Sequence, residues 1–141
     1  MSGGCLCGAV RYTVNKPISE IAVCHCQMCR KHSGGLVLAA DLEKGDVTWS
    51  GTDNIGVFAS SEWAERGFCK TCGSSLFWRM SDGEMLSLSA GTLDSFEGIT
   101  LTTEIYVDHK PASFSFAGDT NKLTQAEVEA MFASPGEGEP T

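Results

Sequence analysis

This sequence predicts a mainly β fold of short antiparallel strands with a short C-terminal helix and zinc as a staple. Three observations carry that expectation. Apolar segments are short, of strand length, and separated by Gly-rich and polar punctuation. One late segment carries a helix-start signature. Seven cysteines fall into closely spaced groups, an odd number that suits metal ions better than a complete disulfide framework.

The elements follow in order. Residues 9–14 alternate apolar and polar as a half-buried strand does. Residues 20–23 lead as a short strand into the densest cysteine group. Strands are expected over 36–42, 47–49, 55–58, 76–79, 85–90 and 104–107. Residues 27–32 can form a single helical turn. A firmer helix is expected over 123–132, where Thr124 and Glu127 make a capping-box pattern. Val128, Met131 and Phe132 would then form an apolar stripe that docks on the sheet. Residues 1–133 are expected to form a single domain. Residues 134–141, mainly Pro, Gly and Glu, have little to bury and read as a disordered tail.

Composition removes several function classes. The chain has 141 residues and a formal charge of −8. That charge argues against general nucleic-acid binding, which needs a basic face. No apolar run approaches a membrane span, and no leader-like segment opens the sequence. A cytoplasmic location is expected, where thiols stay reduced or bind metals.

The cysteines form three groups: Cys5 and Cys7; Cys24, Cys26 and Cys29; Cys69 and Cys72. Two nearby thiolates chelate one ion, and distant chelates can converge. Cys69-Lys70-Thr71-Cys72-Gly73 is a zinc-knuckle pattern, and Cys5-Leu6-Cys7-Gly8 is its shorter relative. The glycines permit positive φ, so that backbone N–H groups can turn toward the thiolates. Together these four cysteines make a closed structural site. Cys24, Cys26 and Cys29 offer three ligands and leave a fourth position open, as catalytic zinc sites do. His25 or a distant residue could instead close that site. An iron–sulfur cluster and a redox dithiol at Cys26 and Cys29 are weaker readings of the same residues.

These motifs resemble the glutathione-dependent formaldehyde-activating enzymes, grouped with centromere protein V-like proteins. The likeness rests on Gly4-Cys5-Leu6-Cys7-Gly8, on Cys24-His25-Cys26 with Cys29-Arg30, and on Arg66-Gly67-Phe68-Cys69 with Cys72-Gly73. Gly91-Thr92-Leu93-Asp94 and Glu104-Ile105-Tyr106-Val107 extend it, over roughly residues 3 to 116. Glu104 stands where family members often carry His, and Ala112-Ser113 lies near a usual Pro-Trp pair. The resemblance implies a zinc-stabilised β-tent with two Zn²⁺ per chain. Cys5, Cys7, Cys69 and Cys72 would hold the structural ion, and Cys24, Cys26 and Cys29 the catalytic one. It also implies carbon–sulfur lyase chemistry on a glutathione–formaldehyde adduct, with a small-molecule thiol such as glutathione as partner.

Other residues are candidates for smaller roles. Arg30 and Lys31 follow the open site and could meet a glutathione carboxylate. His32 could shuttle protons or contact a helix end. His109 with Lys110 is a weaker candidate. Asp94 could orient a ligand or cap a turn. Trp49, Trp63, Trp78, Phe58, Phe68 and Phe77 read mainly as core. A noncatalytic zinc-built module for protein contact is the competing function. Methionine sulfoxide reduction is a third, and it would need a cysteine outside the metal sites.

Overall fold

The computed structural model describes residues 1–132. The tail expected over 134–141 lies outside them. In chain order the elements are β1 (Ser2–Gly4), β2 (Arg11–Val14), β3 (Glu20–Cys24), α1 (Gln27–Ser33), β4 (Val37–Glu43), β5 (Val47–Ser50), β6 (Ile55–Ala59), β7 (Ala64–Cys69), β8 (Ser75–Met80), β9 (Met85–Ser89), β10 (Thr100–Ile105), β11 (Asn121–Leu123) and α2 (Gln125–Phe132). The fold is mainly β with two short helices, as the short apolar segments imply.

The chain forms two compact units. Among the described residues, the first comprises 1–21 and 39–100, and the second 22–38 and 101–132. In the first unit, β1, β2 and β5 form a small antiparallel sheet. A second antiparallel run has the order β4-β9-β8-β7-β6. Its core gathers Val10, Leu76 and Phe77 around two cysteines, Cys5 and Cys69. Trp49 packs on both Tyr12 and Phe77, with centroids 5.1 and 5.4 Å apart. The apolar packing and the four-cysteine group therefore occupy one place.

In the second unit, β10 lies between β3 and β11. The β10–β11 pairing is parallel, with Glu104 opposite Lys122, an exception to the antiparallel expectation. Helix α1 begins at Cys26, whose extended backbone and sulfur cap the first turn. It stops at Gly34, which is left-handed at φ 78°. Helix α2 has the expected capping box: the Glu127 carboxylate accepts from the Thr124 N–H at 3.0 Å, and the Glu127 N–H donates back to the Thr124 hydroxyl at 3.3 Å. Its start is later than expected, because Leu123 belongs to β11. Only Val128 of the expected stripe is buried; Met131 and Phe132 are exposed.

Three strands escape a reading by pattern. β1 is Gly-rich and β11 is only three residues long. β7, Ala-Glu-Arg-Gly-Phe-Cys, breaks alternation with charges and a glycine. Gly67 is needed there for space: a Cβ would lie 2.2 Å from the Phe77 ring. Phe77 is core, as expected, but Phe58 and Trp63 are exposed. Trp49, Phe68 and Trp78 are half-buried.

Candidate metal centres

Two turns of matching design build the four-cysteine cluster. Cys5 follows β1, and Cys69 ends β7. In each turn the first cysteine's N–H donates to the carbonyl five residues on, Val10 at 3.0 Å and Ser74 at 2.9 Å. The glycine N–H then closes on the first cysteine's carbonyl, Gly8 to Cys5 at 3.2 Å and Gly73 to Cys69 at 2.8 Å. Both glycines are left-handed, at φ 83° and 77°. The positive φ is as expected, but these N–H groups serve the turn. Other donors reach the sulfurs: Val10 N–H to Cys5 at 3.3 Å, Cys72 N–H to Cys69 at 3.4 Å and Asn54 Nδ2 to Cys69 at 3.1 Å. The Ser74 hydroxyl lies 3.2 Å from Cys72 Sγ.

The donor set fits a tetrahedral metal. All four sulfurs lie within 4.8 Å of one another. Cys5 to Cys7 is 3.6 Å and Cys7 to Cys69 is 3.8 Å. Sulfurs at about 2.3 Å from one zinc, at tetrahedral angles, would sit about 3.8 Å apart. None of the seven cysteines is in a disulfide.

The four thiols ionise unequally. Cys72 is drawn down to about 5, first by the Ser74 hydroxyl and then by backbone N–H groups of Ser74 and Cys7. Burial works against ionisation of Cys5, but the Val10 N–H and the Cys7 and Cys69 thiols outweigh it and lower its pKa. The Ala9 N–H favours the Cys7 thiolate, yet burial and the neighbouring sulfurs push that thiol up to about 11. The cluster thus opens with a thiolate at Cys72 and gives up its protons stepwise.

The second cluster is built from one short stretch. Cys24 ends β3, Cys26 caps α1, and Cys29 sits in its first turn with its N–H donating to Cys26 Sγ at 3.3 Å. Their three sulfurs also lie within 4.8 Å of one another. Among the described residues, no further His, Cys, Asp or Glu atom joins that group. Neighbouring Cys26 and Cys29 thiols, then burial, push the Cys24 pKa far up. A cation would relieve that repulsion. No cysteine remains outside the two clusters, so no thiol is left over for sulfoxide reduction.

His25 does not turn its ring into the cluster. Its Nε2 lies 2.8 Å from the Glu104 carboxylate, and both side chains are buried. The Thr120 hydroxyl donates to the other Glu104 oxygen, and Lys122 Nζ lies 3.7 Å from it. Burial opposes ionisation of Glu104, but Thr120, His25 and Lys122 together hold its pKa below the ordinary value. Sequence motifs contain both residues, but nothing in them shows that the two pair. Tyr106 lies in the same motif as Glu104, and its backbone is unusual. It is the one described non-glycine residue with positive φ, 57°. Burial, then the charges of Cys24 and Cys26, raise its phenol pKa, so it keeps its proton.

The remaining candidates divide. Arg30 and Lys31 are exposed on α1, beside Cys29 in sequence. His32 is half-buried in the last turn of the same helix. His109 pairs with Gln125 at 2.8 Å. Lys110 binds the Pro111 carbonyl at 2.9 Å and also the Phe114 carbonyl. Asp94 forms a two-pronged ion pair with Arg11, at 3.0 and 2.6 Å. Ala112 and Ser113 are exposed.

A 33% identical relative over 128 residues is an uncharacterized lyase of Schizosaccharomyces pombe, covering 89% of this chain and 92% of that one. A protein of Halomonas elongata, provisionally named as a glutathione-dependent formaldehyde-activating enzyme, is 33% identical over 86 residues, 55% of this chain and 54% of its own length. A crystal structure of a Rhodobacter sphaeroides protein shares the fold at a TM-score of 0.57 and 22% identity, covering 72% of this chain and all of that one. No helix among the described residues is long and apolar enough to cross a membrane. The family profile of the glutathione-dependent formaldehyde-activating enzymes matches residues 1–109, and the chain belongs to that family.

Proposed function

We propose that this protein is a zinc-dependent carbon–sulfur lyase acting on a thiol–aldehyde adduct such as S-(hydroxymethyl)glutathione. One observation carries the reading: Cys24, Cys26 and Cys29 converge on one point, and no fourth His, Cys, Asp or Glu ligand among the described residues completes the set. Three protein ligands with a vacancy is the pattern of a working site, and four is the pattern of a structural one. Cys5, Cys7, Cys69 and Cys72 are assigned the structural ion.

A zinc ion held by Cys24, Cys26 and Cys29 would supply Lewis acidity, lowering the pKa of a thiol or polarising a carbonyl oxygen. The chain's own residues then bind and orient. Arg30 and Lys31 are exposed cations on the ligand-bearing helix and are assigned to the glutathione carboxylates. Tyr106 keeps its phenol proton and can donate a hydrogen bond to a hydroxymethyl or carbonyl oxygen. In the direction of cleavage, the carbon–sulfur electron pair goes to sulfur, the hydroxyl proton passes through solvent to the thiolate so formed, and formaldehyde and thiol are released. A noncatalytic contact module would call for a closed second site, and the bonding of His25 to Glu104 counts against the nearest candidate for closing it.

NMR exchange between glutathione and formaldehyde, with and without protein, tests the reading. Exchange should quicken in proportion to metal-loaded protein and fall back when Cys24→Ala is used. An unchanged exchange rate at every protein concentration would remove the lyase assignment.

A further inference from the structure

We infer that the buried Glu104–His25 pair is a positioning device for the three-cysteine site, setting its thiolates without touching substrate. This deepens the proposed function and rests on its assignment of a metal to Cys24, Cys26 and Cys29.

His25 is the residue between two of the three ligands, so fixing it fixes the direction in which both neighbours leave the chain. Its main chain is held by the N–H bond to the Ile105 carbonyl at 3.0 Å. Its ring is held at Nε2 by Glu104 at 2.8 Å. Phe114 and Phe116 flank the ring, with centroids 6.0 and 6.1 Å away. The buried Nδ1 has no hydrogen-bond partner among the described residues. Glu104 is therefore the polar anchor that selects the ring's orientation.

The anchor is itself fixed. Glu104 lies on β10 opposite Lys122, and Thr120 and Lys122 meet its second oxygen. The side chains of His25 and Glu104 are only 1% and 3% exposed. A buried polar pair contributes little to stability alone, because apolar residues of similar volume often serve as well or better. Outer partners that hold a ligand-bearing segment do affect metal affinity, typically by roughly 10–100-fold. The position of the pair, inside the Cys24–Cys26 step, favours this second use.

The test uses Co²⁺ as the probe, in the full chain. Chelator competition gives the affinity of each site, and the thiolate–Co²⁺ absorption bands report its geometry. The double variant His25→Phe/Glu104→Leu replaces the pair with apolar groups and leaves no buried charge unpaired. It should fold and hold the tighter Co²⁺ as wild type does. Its looser Co²⁺ should weaken by roughly 10–100-fold, with altered bands. Glu104→Gln keeps a carbonyl for the His25 N–H and should recover most of that affinity. Wild-type affinity and bands at the looser site of the double variant would overturn the positioning role alone. A wild-type chain that takes only one Co²⁺ would instead overturn the metal assignment beneath it, and the positioning role with it.

Discussion

The two cysteine clusters differ in how they are made. The four-cysteine cluster joins segments more than sixty residues apart, Cys7 to Cys69 at 3.8 Å, and is wrapped by Val10, Leu76 and Phe77. The three-cysteine cluster comes from a single β-strand end and the first turn of one helix. A metal in the first ties distant parts of the chain together, so its binding energy is folding energy. A metal in the second closes only a local loop and changes little of the long-range order. The same thiol chemistry thus serves different ends, according to the length of chain it crosslinks.

Variants should separate the two most sharply. Cys72→Ala is expected to unfold the chain or lower its melting temperature severely, because a structural zinc in a small fold contributes on the order of 10 kcal/mol. Far-UV circular dichroism on heating checks this; a near-wild-type melt would equalise the sites. Cys29→Ala should keep the fold and lose only the looser metal, read by metal content after desalting. Global unfolding of that variant would show that the roles are reversed.

Acid should distinguish them next. Metal binding competes with protons for each thiol. Cys72, at about 5, is already a thiolate above that pH, so no proton must be displaced from it. Cys7, at about 11, and Cys24, also raised, each keep a proton across the neutral range that a metal must displace, but only the four-cysteine site has a ready thiolate and a fourth ligand to set against it. As pH falls from about 8 to about 5, the three-cysteine site should therefore empty first, as release of zinc to a colorimetric indicator would show. Simultaneous release would contradict the difference.

The smallest effect concerns substrate. Arg30→Ala should raise KM for glutathione roughly fivefold, about 1 kcal/mol for an exposed, screened charge, with kcat little changed. An unchanged KM would return Arg30 to the solvated surface.

Much of this contrast was legible in the sequence because cysteine spacing is a local signal. The two-residue gap of Cys69 and Cys72, and the run from Cys24 to Cys29, carry their chelating geometry with them. The capping box at Thr124 and Glu127 is local in the same way. The supporting groups are not local. Asn54 reaches Cys69 from a turn fifteen residues away, and Glu104 reaches His25 across seventy-nine. A lone Asn or Glu has no spacing to betray it. β7 was hidden for a related reason, since Glu65 pairs with Arg79 of the adjacent strand and so spoils the apolar alternation. The exposure of Met131 and Phe132 could not be read from helical period alone, because period shows which residues share a face and not how far the neighbouring surface extends.

Metal stoichiometry combined with chelator release tests the inequality of the two sites most directly. The chain purified from zinc-containing medium should carry close to two zinc ions. One should leave quickly on chelator challenge, with Cys24, Cys26 and Cys29 becoming open to alkylation while the fold persists. A single tightly held zinc with those three thiols alkylated from the start would contradict the two-site account.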